Sequence, residues 1–188
     1  MVTTRICCTL ASIAILGISS VALAANKHAP KTPTNPPAKP APAQPAINWN
    51  VTNSVSQLTG AKSYSADLNS TNTIPNAIGR PDTATLIVRC KNSKLEAYVV
   101  WPPFMGSDSR EAQYKFDDGP IWKQMWEPSS DGTATFIPQP QVFLGRLANA
   151  KKLVVDIDPY ERSTVEAVFD TSGAEKVVAD ATTACPSQ

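Results

Sequence analysis

Residues able to carry catalysis or bind a transition metal are scarce in this chain of 188 residues. Its one histidine, His28, lies in a proline-rich segment, so the rest of the chain has no base for a Ser-His-Asp or Cys-His nucleophile. Zinc and most transition metals also need histidine or unpaired cysteine ligands. No glycine-rich phosphate loop follows a strand pattern, which excludes the nucleotide-binding folds. The sequence therefore predicts no catalytic residue, no cofactor and no metal site.

Carboxylates are the remaining side chains that could carry catalysis or bind a metal ion. Asp117-Asp118 and Asp156-x-Asp158 could act as an acid and a base, as the paired carboxylates of glycoside hydrolases do. Both pairs stand at turn patterns, where aspartate is common for structural reasons. Asp156, Asp158 and Glu161 could supply oxygen ligands to calcium, although their spacing matches no known calcium loop. A carboxylate enzyme and a calcium site remain open as alternatives.

The cysteines indicate a structural role and not a catalytic one. Cys7 and Cys8 lie in an apolar N-terminal segment that we expect to be removed, which leaves Cys90 and Cys185. An even pair in an exported chain predicts a disulfide, which would close a loop of about 95 residues and contribute roughly 4–5 kcal/mol. Two free thiols are the alternative. A redox-active pair is disfavoured because the chain has no C-x-x-C arrangement.

The N-terminal segment reads as a secretory signal peptide over residues 1–24. Arg5 precedes an uncharged run that ends in the small-x-small pattern Val21–Ala24, which is typical of a cleavage site. An uncleaved membrane anchor is the alternative. Residues 25–46 are rich in proline, alanine and lysine, and we expect them to form an extended, disordered spacer.

Residues 47–188 amount to one domain's length of chain. All 16 acidic residues but only 13 of the 17 basic residues fall in this part. Nucleic acid is disfavoured as a partner, because its binding needs a clustered basic surface. We expect no membrane span once the signal is removed, because no second long apolar segment follows. The chain is therefore predicted to be periplasmic or secreted.

The strongest structural pattern is a β-hairpin at Thr83–Trp101, in which two β-branched runs flank the polar turn at residues 91–94. Leu86, Val88 and Cys90 share one face of the first arm, which we expect to face the core. Further strands are predicted at residues 49–56, 63–69, 111–117, 121–126, 133–137, 151–157 and 164–169, and residues 76–82 are predicted to be a loop. A short helix is predicted at residues 141–150.

A second helix should follow Ser172, which forms a capping box with Glu175. Its apolar stripe, made by Ala174, Val177, Val178, Ala181 and Cys185, could lie on the sheet and bring Cys185 to Cys90. The predicted fold is α+β and β-rich. It is an antiparallel sandwich or curled sheet of about eight short strands, with two late helices and one disulfide.

Four side chains are candidates for contact with a partner protein: Trp122, Met125, Trp126 and Tyr160. Aromatic residues in strands are most often core, as we expect for Trp101. Met125 and Trp126, next to Glu127-Pro128, are the pair expected to be exposed.

The order of several short motifs resembles the VasI/TagO family of envelope proteins associated with bacterial type VI secretion. The motifs are Trp49, LIVRC at 86–90, YVVW at 98–101, YKFD at 114–117, WEPSSDG at 126–132, residues 143–147, VFD at 168–170 with Ser172-Gly173, and Ala184-Cys185. The chain departs from the family at residues 58–61, where the family often has aspartates, and at Lys115, where it often has arginine. The resemblance implies export, a cysteine pair and no assigned enzymatic activity.

Three hypotheses follow. The first is an exported, non-enzymatic accessory or interaction module with an unidentified protein partner in the cell envelope. The second is a periplasmic inhibitor or immunity-type protein that binds an envelope-acting enzyme. The third is a carboxylate-based cell-wall enzyme.

Overall fold

The computed structural model describes residues 48–185, in which it shows eleven strands and two helices. The predicted signal peptide and spacer lie outside these residues. The strands are β1 Asn50–Val55, β2 Lys62–Asn69, β3 Ile74–Pro75, β4 Pro81–Asp82, β5 Thr85–Lys91, β6 Lys94–Val100, β7 Arg110–Phe116, β8 Trp122–Pro128, β9 Ala134–Phe136, β10 Lys152–Ile157 and β11 Val165–Asp170. The helices are α1 Pro140–Leu147 and α2 Ala174–Ala184.

Nine strands form one antiparallel sheet in the order β1-β2-β5-β6-β9-β8-β7-β10-β11, and β3 pairs only with β4. The β-rich α+β class is confirmed, but the expected count of about eight strands was too low. Part of the difference comes from residues 76–82, expected to be a loop, whose last two residues form β4. Ile74 is buried there, so this small hairpin adds to the core.

The main sheet curls until the loop after β2 reaches β11, although no strand pair closes it. The Thr71 N–H donates to the Val168 carbonyl at 2.7 Å. The side-chain amide of Asn72 donates to the Glu166 carbonyl at 2.7 Å and accepts from the Val168 N–H at 2.9 Å. Asn72 thus makes the two bonds that a neighbouring strand would make, and the middle of the β11 edge is occupied.

The central hairpin is confirmed as β5 and β6. Asn92 and Ser93 connect the strands with φ of 52° and 57°, the left-handed conformation of a tight hairpin turn. Leu86, Val88 and Cys90 are fully buried, as their shared face predicts.

The second helix packs over β2 and β5 and carries the predicted apolar stripe, with Ala174, Val177 and Ala181 buried. Cys185, which follows it, is bonded to Cys90, so the predicted disulfide is present. The capping box is wrong. The helix begins after Gly173, whose φ is 85°, and no side chain caps it. The N–H of Ser172 instead donates to the Asp170 side chain at 3.1 Å, which fixes the turn before the glycine.

The first helix starts one residue before the prediction and ends three residues earlier, at Leu147. After it, the Asn149 N–H donates to the Arg146 carbonyl and the Asn149 side chain donates to the Gly145 carbonyl. These bonds tighten the chain into a turn and end the helix. Phe143, Leu144 and Leu147 face the core.

Candidate protein-contact surface

The sheet opens where β9 stops after three residues. β9 pairs with residues 98–100 of β6 and with residues 127–128 of β8, and then reaches Pro138. Proline has no N–H to donate to a neighbouring strand, and Gln139 next to it adopts φ of 49°. The strand therefore gives way to α1, which begins at Pro140. Residues 94–97 of β6 and residues 122–126 of β8 therefore have no part of β9 between them. A groove lies on each side of the start of α1.

The groove beside β8, which we call the Trp122 groove, has a volume of about 180 Å³. It is lined by Tyr114, Trp122, Lys123, Gln124, Pro138, Gln139, Val142, Phe143 and Arg146. Trp122 is 38% exposed and Val142 is 48% exposed, so both present apolar surface to solvent. Ile121, adjacent in sequence, is also exposed, but it lines a separate pocket with Asp156 and Glu166.

Arg146 stacks on the Trp122 ring in this groove. Its guanidinium carbon lies 3.8 Å from the centroid of the Trp122 ring, which is close stacking for a cation–π pair. Arg146 also acts on Tyr114. Burial raises the pKa of Tyr114, while the positive charge of Arg146 opposes the rise, and the Tyr114 hydroxyl donates to the Gln124 side chain at 3.3 Å. The guanidinium of Arg146 therefore covers one face of the exposed Trp122 ring.

The groove beside β6 is larger, at about 530 Å³, and is more charged at its rim. Arg89 and Lys94 both pair with Glu96, at 2.7 Å and 3.0 Å. Burial alone would raise the pKa of Glu96, but these hydrogen bonds and charges outweigh it and lower the pKa. Arg89 also stacks over the Tyr98 ring at 4.8 Å from its centroid. Glu127 is exposed on the opposite wall.

Trp126 is not part of any surface. It was expected to be exposed, but its side chain is fully buried. Alternation along β8 places it on the same face as Trp122, and its ring lies 5.7 Å from that of Tyr114 in the core. Pro128, which favoured a turn and exposure, instead ends the strand in pairing with Thr135. Trp122 escapes burial because it starts the strand beside the opening left by β9.

Met125 and Tyr160 are exposed but belong to other surfaces. Met125 points to the outer face of β8, opposite Glu111. Tyr160 lies beside Arg110, whose strand partner is Trp126. Trp126 is four residues from Trp122, or about 13 Å along a strand. The four predicted contact residues therefore do not form one site.

Tyr160 has an aromatic neighbour that the sequence pattern did not reveal. Phe104 is 49% exposed and makes an edge contact with Tyr160 at 6.1 Å between ring centroids. Two glycines leave room for this pair. A Cβ on Gly132 would clash with the Phe104 ring, and one on Gly106 would lie 3.2 Å from the Tyr160 ring.

The candidate carboxylates do not converge. Asp117 accepts from the backbone N–H groups of Lys151 and Lys152, which is a structural role. Asp158 accepts from the Thr164 hydroxyl. Asp156 lies on the outer face opposite Glu166, and burial, followed by the charge of Glu166, raises its pKa. Within residues 48–185, no three His, Cys, Asp or Glu side chains are grouped to hold a metal ion.

Among the residues that the model describes, no helix is both long and apolar enough to cross a membrane.

No protein-family model and no curated protein sequence matches the chain. A solved structure, invasion associated protein B from Bartonella henselae, is similar with 10% sequence identity and a TM-score of 0.49. The match covers 72% of this chain and 92% of that chain.

Proposed function

We propose that this chain is an exported, non-enzymatic protein of the bacterial periplasm that acts by binding another envelope protein. The signal-peptide pattern at residues 1–24 and the resemblance to the VasI/TagO family support the location and the accessory role. The Cys90–Cys185 disulfide is consistent with an oxidising compartment. The spacer at residues 25–46 would give the module reach.

The observation that carries the proposal is the stacked pair of Trp122 and Arg146. Tryptophan and arginine are the residue types that most often dominate the energy of a protein interface. Here the guanidinium already stacks on the exposed ring at 3.8 Å, so Trp122 itself would lose less side-chain entropy when a partner binds. The exposed side chain of Val142, which lines the same groove, would extend the apolar contact.

The test is a crosslinked pull-down of the full chain from the cell envelope, comparing the wild type with Trp122→Ala. We expect the variant to lose its partner, with a cost of about 2 kcal/mol or more in binding. Met125→Ala is the matched control, since Met125 is exposed on the opposite face of the same strand. Equal capture by all three proteins would contradict the proposed surface.

The identity of the captured protein distinguishes an accessory role from an inhibitor or immunity-type role. Components of a secretion sheath, tube or envelope complex would support the accessory role. A cell-wall-cleaving enzyme or toxin would instead favour an inhibitor or immunity-type protein. The genes adjacent to this one offer an independent check, because secretion components and lysis cassettes predict different partners.

A further inference from the structure

The first strand stands apart from the rest of the sheet. All six residues of β1 are exposed, although seven of the other eight strands of the sheet carry two or more buried side chains. Its pairing with β2 places Val51 opposite Ala66 and Asn53 opposite Tyr64, both of which are buried. The side chains of Val51 and Val55 therefore lie on the core side of the sheet, yet they are 41% and 53% exposed. α2 packs over β2 and β5, and β1 extends beyond that cover.

The outer edge of β1 has unused backbone groups. The Ser56 N–H donates to the Ala61 carbonyl at 2.8 Å, so the backbone of Ser56 points toward β2. In an antiparallel pair the direction alternates with each residue. The N–H and C=O groups of Val51, Asn53 and Val55 therefore point away from β2. Within residues 48–185, no strand pairs with this edge.

This edge lacks the usual protection. Exposed sheet edges in natural proteins are commonly blocked by lysine, proline, a bulge or a covering loop. Residues 48–61 contain no charged residue and no proline. The opposite edge of the sheet, β11, is occupied by Thr71 and Asn72. Among residues 48–185, one edge of the sheet is thus covered and the other has no partner strand.

The sequence of β1 identifies the strand that would fit it. Residues 51–55 read Val-Thr-Asn-Ser-Val, which is nearly the same in both directions. We propose that β1 pairs with β1 of a second copy of this chain, antiparallel and centred on Asn53. Two-fold symmetry then sets Asn53 opposite itself, Val51 opposite Val55, and Thr52 opposite Ser54.

The geometry of the pair is self-consistent. In this register the hydrogen-bonded pairs are formed by Val51, Asn53 and Val55. These are the three residues whose backbone N–H and C=O groups point away from β2. Because β1 is uncharged, no like charges meet, and like charges directly opposite destabilise paired strands. The two-fold axis is perpendicular to the sheet, so the valines of both copies come together on one face between the two α2 helices. The result is a closed, isologous dimer.

A charge-exchange experiment on the full chain tests this pairing. Sedimentation velocity at protein concentrations up to about 1 mM detects even weak self-association. We expect the wild type to pass from monomer to dimer, and Val51→Lys/Val55→Lys to dimerise about tenfold or more weakly. Val51→Glu/Val55→Glu should behave in the same way. Mixing the two variants should restore a dimer, because each lysine then faces a glutamate, and a misfolded protein could not give this recovery.

The control is Gln57→Lys/Thr59→Lys, which adds the same charge in the turn after β1 and should dimerise like the wild type. A wild type that stays monomeric at the highest concentration would overturn the proposal. So would a dimer that persists in both charged variants, since it would use another surface, or a mixture that fails to recover. These outcomes are independent of the Trp122 groove, because Trp122→Ala should leave self-association unchanged.

Discussion

Asp117 and Lys152 are hydrogen-bonded to each other in both directions. The Asp117 N–H donates to the Lys152 carbonyl at 2.9 Å, and the Asp117 carboxylate accepts from the Lys152 N–H at 2.9 Å. The same carboxylate oxygen accepts from the Lys151 N–H at 3.0 Å. One side chain therefore aligns the turn after β7 with the start of β10.

Asp117→Ala should lower the free energy of unfolding by about 1–3 kcal/mol, because it removes two hydrogen bonds to a charged acceptor. Asp117→Asn should cost less, since its amide oxygen can still accept and asparagine tolerates the observed φ of 48°. Chemical denaturation measures both. Asp118→Asn is the neighbouring control and should change little. Equal stability of the Ala and Asn variants would show that the carboxylate does not have this structural role.

Loss of the disulfide should destabilise the domain strongly. Cys90 and Cys185 are 95 residues apart, and removal of a native disulfide commonly costs 2–5 kcal/mol. We expect Cys90→Ser, Cys185→Ser and the double variant to lose similar amounts in denaturation, because each removes the same bond. A thiol assay on the unreduced protein after signal removal should find no free cysteine. Two reactive thiols would contradict the bond.

Tyr64 should titrate at an unusually high pH for a tyrosine. Burial, and then the charge of Asp180, raise its pKa to about 12. Phenolate absorbance should therefore show a step near pH 12 that is absent from Tyr64→Phe, with circular dichroism recording whether the fold persists. The pKa of Tyr64 is higher in the folded protein than its unfolded value of about 10. The contribution of its protonation to the free energy of unfolding is therefore fully present below pH 10 and is lost as the pH rises through about 12.

The same substitution has a second expected result at neutral pH. The Tyr64 hydroxyl is buried and has no hydrogen-bond partner among the described residues. Replacing it with phenylalanine leaves no partner unsatisfied, so the free energy of unfolding should stay within about 0.5 kcal/mol of the wild type. A loss well above that value would indicate a hidden partner for the hydroxyl.

Trp122 and Trp126 should behave in opposite ways despite lying on one face of β8. Trp126→Ala should cost about 3–5 kcal/mol in stability because it empties a core position, whereas Trp122→Ala should cost no more than about 1 kcal/mol. Acrylamide quenching of tryptophan fluorescence gives a second readout. The other three tryptophans are buried, so Trp122→Phe should remove most of the quenchable signal, and Trp126→Phe should not.

Local patterns in the sequence were enough for most of the fold. The hairpin around residues 91–94, the inward face of Cys90 and the stripe of α2 each depend on spacing within one or two elements. The capping box failed because Gly173, next to Ser172, could take the left-handed conformation that starts α2 without a side-chain cap. A local motif was thus overridden by a more permissive neighbour.

The contact surface was less predictable because it depends on distant parts of the chain. Trp122 and Arg146 are 24 residues apart, and nothing in either segment shows that they stack. Pro138 was a usable signal, since a proline two residues after Phe136 limits the length of β9 and opens the sheet beside Trp122. Without the sheet order, however, the strands on either side of that opening could not be named.

Asn72 has a consequence for how far self-association could proceed. A sheet with two open edges can add copies at both ends and grow into a fibre, as amyloid does. Here one amide side chain takes the place of a neighbouring strand on β11, so the molecule can extend its sheet in one direction only. Two copies joined through β1 would each present an occupied edge to the solvent, and polymerisation would stop at the pair.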